Sequence, residues 1–143
     1  MMRKIRIVLV GLGVALVACG GGPKNIEGTL SAPSGGSVRG SIVAVCPVEG
    51  GRISCDDPRA KQVEVNASGR SAPYKVEGLE DASYAVAALR DNDGDGQLGE
   101  GDYFGYYGYP DDPKAVKPPA TGINVQMQVL SRQNRMSLPF GAW

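Results

Sequence analysis

Four aspartates recur at close intervals in one short, glycine-rich stretch of the chain. Counted from residue 91, they take positions 1, 3, 5 and 12, with a glycine at position 6 and an apolar residue at position 8: Asp91, Asp93, Asp95, Asp102, Gly96 and Leu98. Carboxylates this close repel one another unless a cation lies among them. A hard cation gathers about six to eight oxygen ligands, so the stretch predicts a cation-binding loop.

The spacing resembles the calcium-binding loop of EF-hand proteins over residues 91–102. The resemblance implies one calcium ion held by four carboxylates and one backbone carbonyl: Asp91, Asp93, Asp95, Asp102 and Gln97. Two positions depart from the pattern, because Asp102 replaces the longer Glu at position 12 and Gly99 offers no side chain at position 9. The flanking sequence favours a strand before the loop, although its alanines would also suit a helix, and is too rich in glycine for a regular helix after it.

An acidic surface turn without an ion is the alternative interpretation of the same residues. Asp-Gly and Asn-Gly pairs are common in turns for conformational reasons alone. Seven acids and no Lys or Arg lie between residues 91 and 112, which provides the negative field of a cation site but also suits a solvated loop. Magnesium fits less well because it keeps several waters, and zinc fits poorly because the chain has no His.

The N-terminal residues have the order of an export signal. A positive segment, residues 3–6, precedes an apolar segment, residues 7–17, which is too short for a stable membrane span. Leu16-Val17-Ala18-Cys19 then resembles the lipobox of bacterial lipoproteins. The resemblance implies removal of residues 1–18 and lipid on Cys19, so that acyl chains hold the domain at a membrane. An uncleaved anchor or an ordinary secretory signal is the alternative.

The residues after the lipobox predict where the protein is held and how. Residues 19–37 contain many Gly, Ser and Pro and few apolar residues, so we expect a flexible tether that follows the lipidated cysteine. Gly20, in place of Asp, follows Cys19. By resemblance to enterobacterial sorting, this favours the outer membrane of the cell envelope.

Charge and residue types limit the possible function classes. Loss of residues 1–18 removes Arg3, Lys4 and Arg6, which leaves 12 basic against 15 acidic residues and a formal charge of −3. Since no basic patch is present, nucleic acid is not an expected partner. Since the chain has no His, Ser-His and Cys-His nucleophile pairs are excluded. The dense carboxylates lie in the cation-type loop, so the chain is not expected to be an enzyme.

Two of the three cysteines, Cys46 and Cys55, remain once Cys19 is assigned to lipid. In an exported protein an even remainder predicts one disulfide, and two reduced thiols are the alternative. Between them, Gly50-Gly51 favours a hairpin turn. The spacing excludes a catalytic CxxC motif.

Short apolar runs separated by turn residues predict strands along the chain. The runs cover residues 26–30, 41–48, 62–66, 74–79, 84–89 and 122–130. Several show the period of two that is typical of strands with one buried face, and none predicts a convincing amphipathic helix. The prediction is an all-β fold, a small antiparallel β-sandwich over residues 38–143 with a long acidic and Tyr/Gly-rich loop.

Three segments resemble the transthyretin-like and carboxypeptidase-regulatory-like β-sandwiches of bacterial surface proteins: residues 40–45, 74–79 and 83–88. The resemblance implies a fold more than a function. The aromatic cluster from Tyr103 to Tyr109 either recognises a protein or glycan or packs against the sandwich edge. The sequence thus predicts a membrane-tethered, calcium-binding lipoprotein that acts as a binding or structural module. A purely structural lipoprotein without an ion is the alternative.

Overall fold

Residues 24–131 are described by the structure, a computed structural model, and they form β-strands joined by turns. The strands are β1 (Ile26–Ser31), β2 (Ser41–Glu49), β3 (Arg52–Ile53), β4 (Lys61–Val65), β5 (Ser71–Val76), β6 (Tyr84–Arg90), β7 (Tyr103–Tyr106), β8 (Val125–Gln126) and β9 (Gln128–Val129). No helix occurs between residues 24 and 131, so the all-β prediction is confirmed. Within that range, accordingly, no helix has the length and apolar character of a membrane span.

The strands form two sheets. The smaller sheet has the order β5-β1-β8, and the larger has the order β3-β2-β6-β7-β9, with β4 also paired to β2. Neighbouring strands are antiparallel except β1 and β8, which run parallel. Side chains from both sheets meet in one core, among them Leu30, Val43, Val86 and Val125, each at most 1% exposed. The predicted small antiparallel β-sandwich is therefore confirmed.

The central strand β6 is covered on both faces, unlike the edge strand β5. Along β5, buried and exposed residues alternate, as expected for a strand with one solvated face. Along β6, residues 84–88 are all buried. Val86 and Ala88 belong to the core, whereas Ala85 and Ala87 lie on the opposite face of the sheet. On that face they pack in a second apolar cluster with Phe104, Tyr106 and Leu130.

The connection from β2 to β3 is a tight hairpin next to a disulfide. Gly50 and Gly51 have φ angles of 57° and 79°. This left-handed pair is what a two-residue type I′ turn needs, and glycine adopts it at little energetic cost. Cys46 and Cys55 are bonded, with their Cα atoms 4.7 Å apart. The predicted hairpin and disulfide are both confirmed.

The chain changes from one sheet to the other between β8 and β9, where Met127 is fully buried. Two glycines make room for the residues that lead into this passage. A Cβ atom added to Gly28 would lie 1.9 Å from the carbonyl oxygen of Ile123, and one added to Gly105 would lie 2.3 Å from that of Gln126. Both distances are far below van der Waals contact, so the close approach of Ile123 and of Gln126 requires glycine at both positions.

The structure differs from two expectations: where the sandwich begins, and what the Tyr/Gly-rich segment forms. The tether expected over residues 19–37 includes β1, which the apolar run of residues 26–30 predicts as a strand; its Ile26 and Leu30 are fully buried, so the sandwich begins well before residue 38. The Tyr/Gly-rich segment expected as loop contains β7, because its aromatic residues suit a strand and Gly105 gives room to β8. The export signal, Cys19 and residues 132–143 lie outside the described residues.

Candidate metal centre

The acidic loop joins β6 to β7 at the end of two paired strands. These strands run antiparallel, and Arg90, the last residue of β6, lies opposite Tyr103, the first residue of β7. The residues directly before and after the loop are therefore neighbours. As a result, residues 91–102 form a hairpin connection that starts with the predicted ligand Asp91 and ends with the predicted ligand Asp102.

Four of the five predicted ligands converge in this loop. One carboxylate oxygen from each lies within 4.8 Å of those of the other three: Asp91, Asp93, Asp95 and Asp102. Calcium–oxygen bonds are about 2.3–2.6 Å long, so oxygens on opposite sides of one ion lie roughly 5 Å apart. The cluster therefore has the dimensions of a metal site built from oxygen ligands.

Backbone N–H groups hold the more exposed carboxylates in place. Gly94 and Gly96 donate to the two oxygens of Asp91 at 3.0 and 2.7 Å. Both glycines have positive φ angles, 72° and 80°, which lets the chain curl around that carboxylate. The N–H of Asp95 donates to Asp93 at 3.2 Å. The loop thus folds around its own carboxylates.

The fifth predicted ligand is the backbone carbonyl of Gln97. Gln97 is exposed, and its N–H donates to Oδ1 of Asp95 at 2.9 Å. This bond places the residue next to the carboxylate cluster. The role of its carbonyl oxygen as a ligand stays a prediction.

Asp102 is the buried member of the cluster, with only 1% of its surface exposed. Its Oδ1 accepts a hydrogen bond from the N–H of Asn92 at 2.8 Å, and its Oδ2 accepts one from the N–H of Gly99 at 2.7 Å. None of the ion pairs between described residues includes Asp102. Buried carboxylates are normally paired with a positive charge or bound to a metal, so this environment favours a cation.

The carboxyl groups of Asp91 and Asp93 can form a hydrogen bond when one of them carries a proton, which lowers the pKa of Asp91 and raises the pKa of Asp93. The backbone N–H of Gly96 lowers the pKa of Asp91 further, because it stabilises the charged form. As the pH falls, Asp93 therefore takes up a proton before Asp91 does. A cation bound among these groups would compete with that proton.

Sequence reasoning missed Asn92, which lies between two predicted ligands. Its Nδ2 donates to the carbonyl oxygen of Gly101 at 2.9 Å, so it connects the beginning of the loop to its end. Nothing in the sequence distinguishes this role, since Asn is also a common turn residue. The contact depends on the strand register that sets the width of the loop.

The aromatic residues after the loop mostly pack within the domain. Phe104 and Tyr106 are buried in the second apolar cluster. Tyr103 lies against the backbone of Gly36, where an added Cβ would be 2.5 Å from the Tyr103 hydroxyl oxygen. The packing interpretation is correct for these three residues, whereas Tyr109 is 44% exposed.

Comparison with known proteins assigns no family to this chain. No protein-family model matches the chain, and searches of curated proteins and of solved structures found no match either. The features that bear on function are therefore those of the loop itself: its ligand set, its burial and its place between β6 and β7.

Proposed function

We propose that this chain is a lipid-anchored protein of the bacterial cell envelope whose β-sandwich binds one calcium ion in the loop of residues 91–102. The observation that carries the proposal is the convergence of four carboxylates, one of them the buried Asp102. No ion pair between described residues neutralises any of the four. A divalent cation would supply the missing positive charge.

Calcium suits this ligand set better than other common metal ions. Every candidate ligand is an oxygen, and the four carboxylates come from an irregular, glycine-containing turn. Calcium accepts six to eight or so oxygens in irregular geometry, whereas magnesium demands a near-octahedral site and keeps several waters. Zinc prefers nitrogen and sulfur ligands, and the cluster contains neither.

The site is expected to bind weakly. Asp102 has a shorter reach than the Glu of an EF-hand loop, and Gly99 offers no side-chain ligand. Extracellular calcium modules have dissociation constants of ~10⁻⁴–10⁻³ M, and we place this loop in that range. Such a site would be filled outside the cytoplasm and would stabilise the fold rather than report a signal.

The expected effect of the ion is to fix one end of the sandwich. The N–H of Gly101 donates to the carbonyl of Leu130 at 3.0 Å, and the N–H of Leu130 donates to the carbonyl of Asp102 at 2.8 Å. Leu130 is buried in the second apolar cluster. Because the last ligand is bonded to this residue, a bound ion would stabilise the edge of the larger sheet as well as the loop.

The envelope location and the partner are supported by sequence alone. The ordered export signal and the lipobox support lipid on Cys19, with the outer membrane as the favoured site. A protein or glycan is the expected partner of the tethered domain. The competing proposal is a purely structural lipoprotein whose acidic loop binds no ion.

Calorimetric titration of calcium into the metal-free mature protein tests the ion. Heat from one site in the parent, lost in Asp93→Ala and kept in Asp112→Ala, supports the calcium proposal. Asp112 is the matched control because it is an exposed acid outside the loop. If the parent gives no heat and its melting curve does not change with calcium, the calcium proposal is wrong and the loop is an ion-free turn.

A further inference from the structure

We propose that Asn92 and Arg90 form a hydrogen-bonded brace that closes the neck of the acidic loop, where residues 91–92 meet residues 101–102. The brace forms before an ion binds and so positions Asp91 and Asp102. The inference rests on the calcium site proposed above, since positioning of ligands matters only if an ion binds them. The closed neck itself is a property of the metal-free protein and is tested separately.

Asn92 makes three hydrogen bonds that together span the loop. Its backbone N–H donates to Oδ1 of Asp102 at 2.8 Å, and its side-chain Nδ2 donates to the carbonyl of Gly101 at 2.9 Å. Its Oδ1 accepts a hydrogen bond from Nη1 of Arg90. One residue beside the first ligand therefore holds both of the last two residues of the loop.

Arg90 anchors this arrangement on the sandwich. Its Nε donates to the carbonyl oxygen of Arg39, in the connection between β1 and β2. Its guanidinium carbon lies 6.0 Å from the centre of the Tyr103 ring, a distance at which a cation and an aromatic face attract each other. Tyr103 is the residue directly after Asp102 and in turn packs on Gly36. The brace is thus attached to both strands that flank the loop and to a third segment.

The charge of Arg90 makes it possible to distinguish a role in positioning the ligands from a direct electrostatic effect on the ion. A positive charge at the neck of a cation site opposes ion binding, so attraction alone would be improved by its removal. In the same way, Asn92→Asp adds a negative charge and would by attraction alone strengthen cation binding. If these residues instead position the ligands, both substitutions weaken binding although both make the loop more negative. The two explanations predict changes of opposite sign.

Calorimetric titration of the mature protein with calcium measures that sign. We expect Asn92→Asp, which loses the donor to the Gly101 carbonyl, and Arg90→Gln to weaken calcium binding roughly three- to tenfold, the effect of one hydrogen bond. Arg90→Lys keeps the charge but not the two-armed geometry and should resemble Arg90→Gln. Asn66→Asp, at an exposed position after β4, is the matched control and should bind as the parent does. Tighter binding in either brace variant overturns the proposal.

Amide hydrogen exchange in chelator-treated, metal-free protein tests the brace without the ion. The N–H groups of Asn92 and Gly99, which donate to Asp102, should be protected in the parent and exchange roughly tenfold faster in Asn92→Asp. Circular dichroism establishes that each variant keeps the parent fold. Unchanged protection in both brace variants overturns the brace, whatever calcium does. Lost protection in the variants together with no calcium heat in the parent retains the brace and refutes only the calcium function.

Discussion

Replacement of Asp102 by Asn removes one charge from the cluster while it keeps the shape of the side chain. Asp102 is 1% exposed and accepts hydrogen bonds from Asn92 and Gly99 at 2.8 and 2.7 Å. An amide has one acceptor oxygen, so one of these buried N–H groups then faces an NH₂ group and loses its partner. The loss of a buried donor's partner costs about 1–3 kcal/mol.

The expected loss of stability has two parts that calcium separates. In chelator, Asp102→Asn should lower the free energy of unfolding by about 2 kcal/mol. In a domain of this size that corresponds to a melting temperature lower by roughly 10 °C. With calcium at about 100 times its dissociation constant, the parent gains ~2.7 kcal/mol. The variant should gain much less, so the gap between the two proteins should widen to about 5 kcal/mol.

Thermal melts followed by circular dichroism, with chelator and with calcium, measure both parts. Asp112→Asn, an exposed acid outside the loop, is the control and should stay within about 0.5 kcal/mol of the parent under both conditions. If Asp102→Asn melts with the parent in chelator, the buried hydrogen bonds do not carry the stability assigned to them. If calcium stabilises the variant as much as the parent, Asp102 is not a ligand.

Four further outcomes follow from other parts of the molecule. Reduction of the Cys46–Cys55 disulfide, which spans nine residues, should lower stability by about 2.5 kcal/mol in chemical denaturation, and an unchanged midpoint would contradict this. The Arg59 guanidinium and backbone N–H lower the pKa of Asp57 to about 2. The stability that ionised Asp57 contributes is therefore complete above the unfolded pKa near 3.8 and is lost as the pH falls through about 2. Carboxyl NMR titration should show the low pKa, and Arg59→Gln should return it towards 3.8. Gly105→Ala should destabilise the domain by about 2 kcal/mol or more because of the Gln126 carbonyl, whereas Gly69→Ala, with no atom within 4 Å, should show only the smaller effect of its positive φ. Cys19→Ser should release the protein from the membrane fraction or leave it unprocessed, and a cleaved, membrane-bound variant would refute lipidation at this residue.

Local patterns in the sequence predict the fold class and four ligands of the candidate site. The period of two along β5 and the Gly50-Gly51 turn are set by neighbouring residues, so the sequence alone is enough to predict them. The convergence of Asp91 and Asp102 is also predictable, because the EF-type spacing implies it.

Features that depend on distant contacts cannot be predicted in this way. The apolar run of residues 26–30 predicts strand β1, but the membership of this strand in the sandwich depends on its pairing with β5 and β8, because the Gly and Ser residues around it are locally typical of a tether. Strand β7 contains Gly105, which is locally typical of a loop but here makes space for the backbone at Gln126. The bond from Asn92 to Gly101 arises only once β6 and β7 are in register.

The passage of the chain from β8 to β9 imposes an order on the completion of the fold. Strand β1 bonds to a segment far along the chain, as in the hydrogen bond from the N–H of Thr29 to the side chain of Asn124, 95 residues away. Pairings between such distant segments form slowly, because a long loop must close first. Leu130, bonded to Gly101 and Asp102, comes later still. A chain synthesised from its N-terminus therefore completes both its smaller sheet and its acidic loop only when residues 125–130 are available, and a truncation before residue 125 would leave both unfinished.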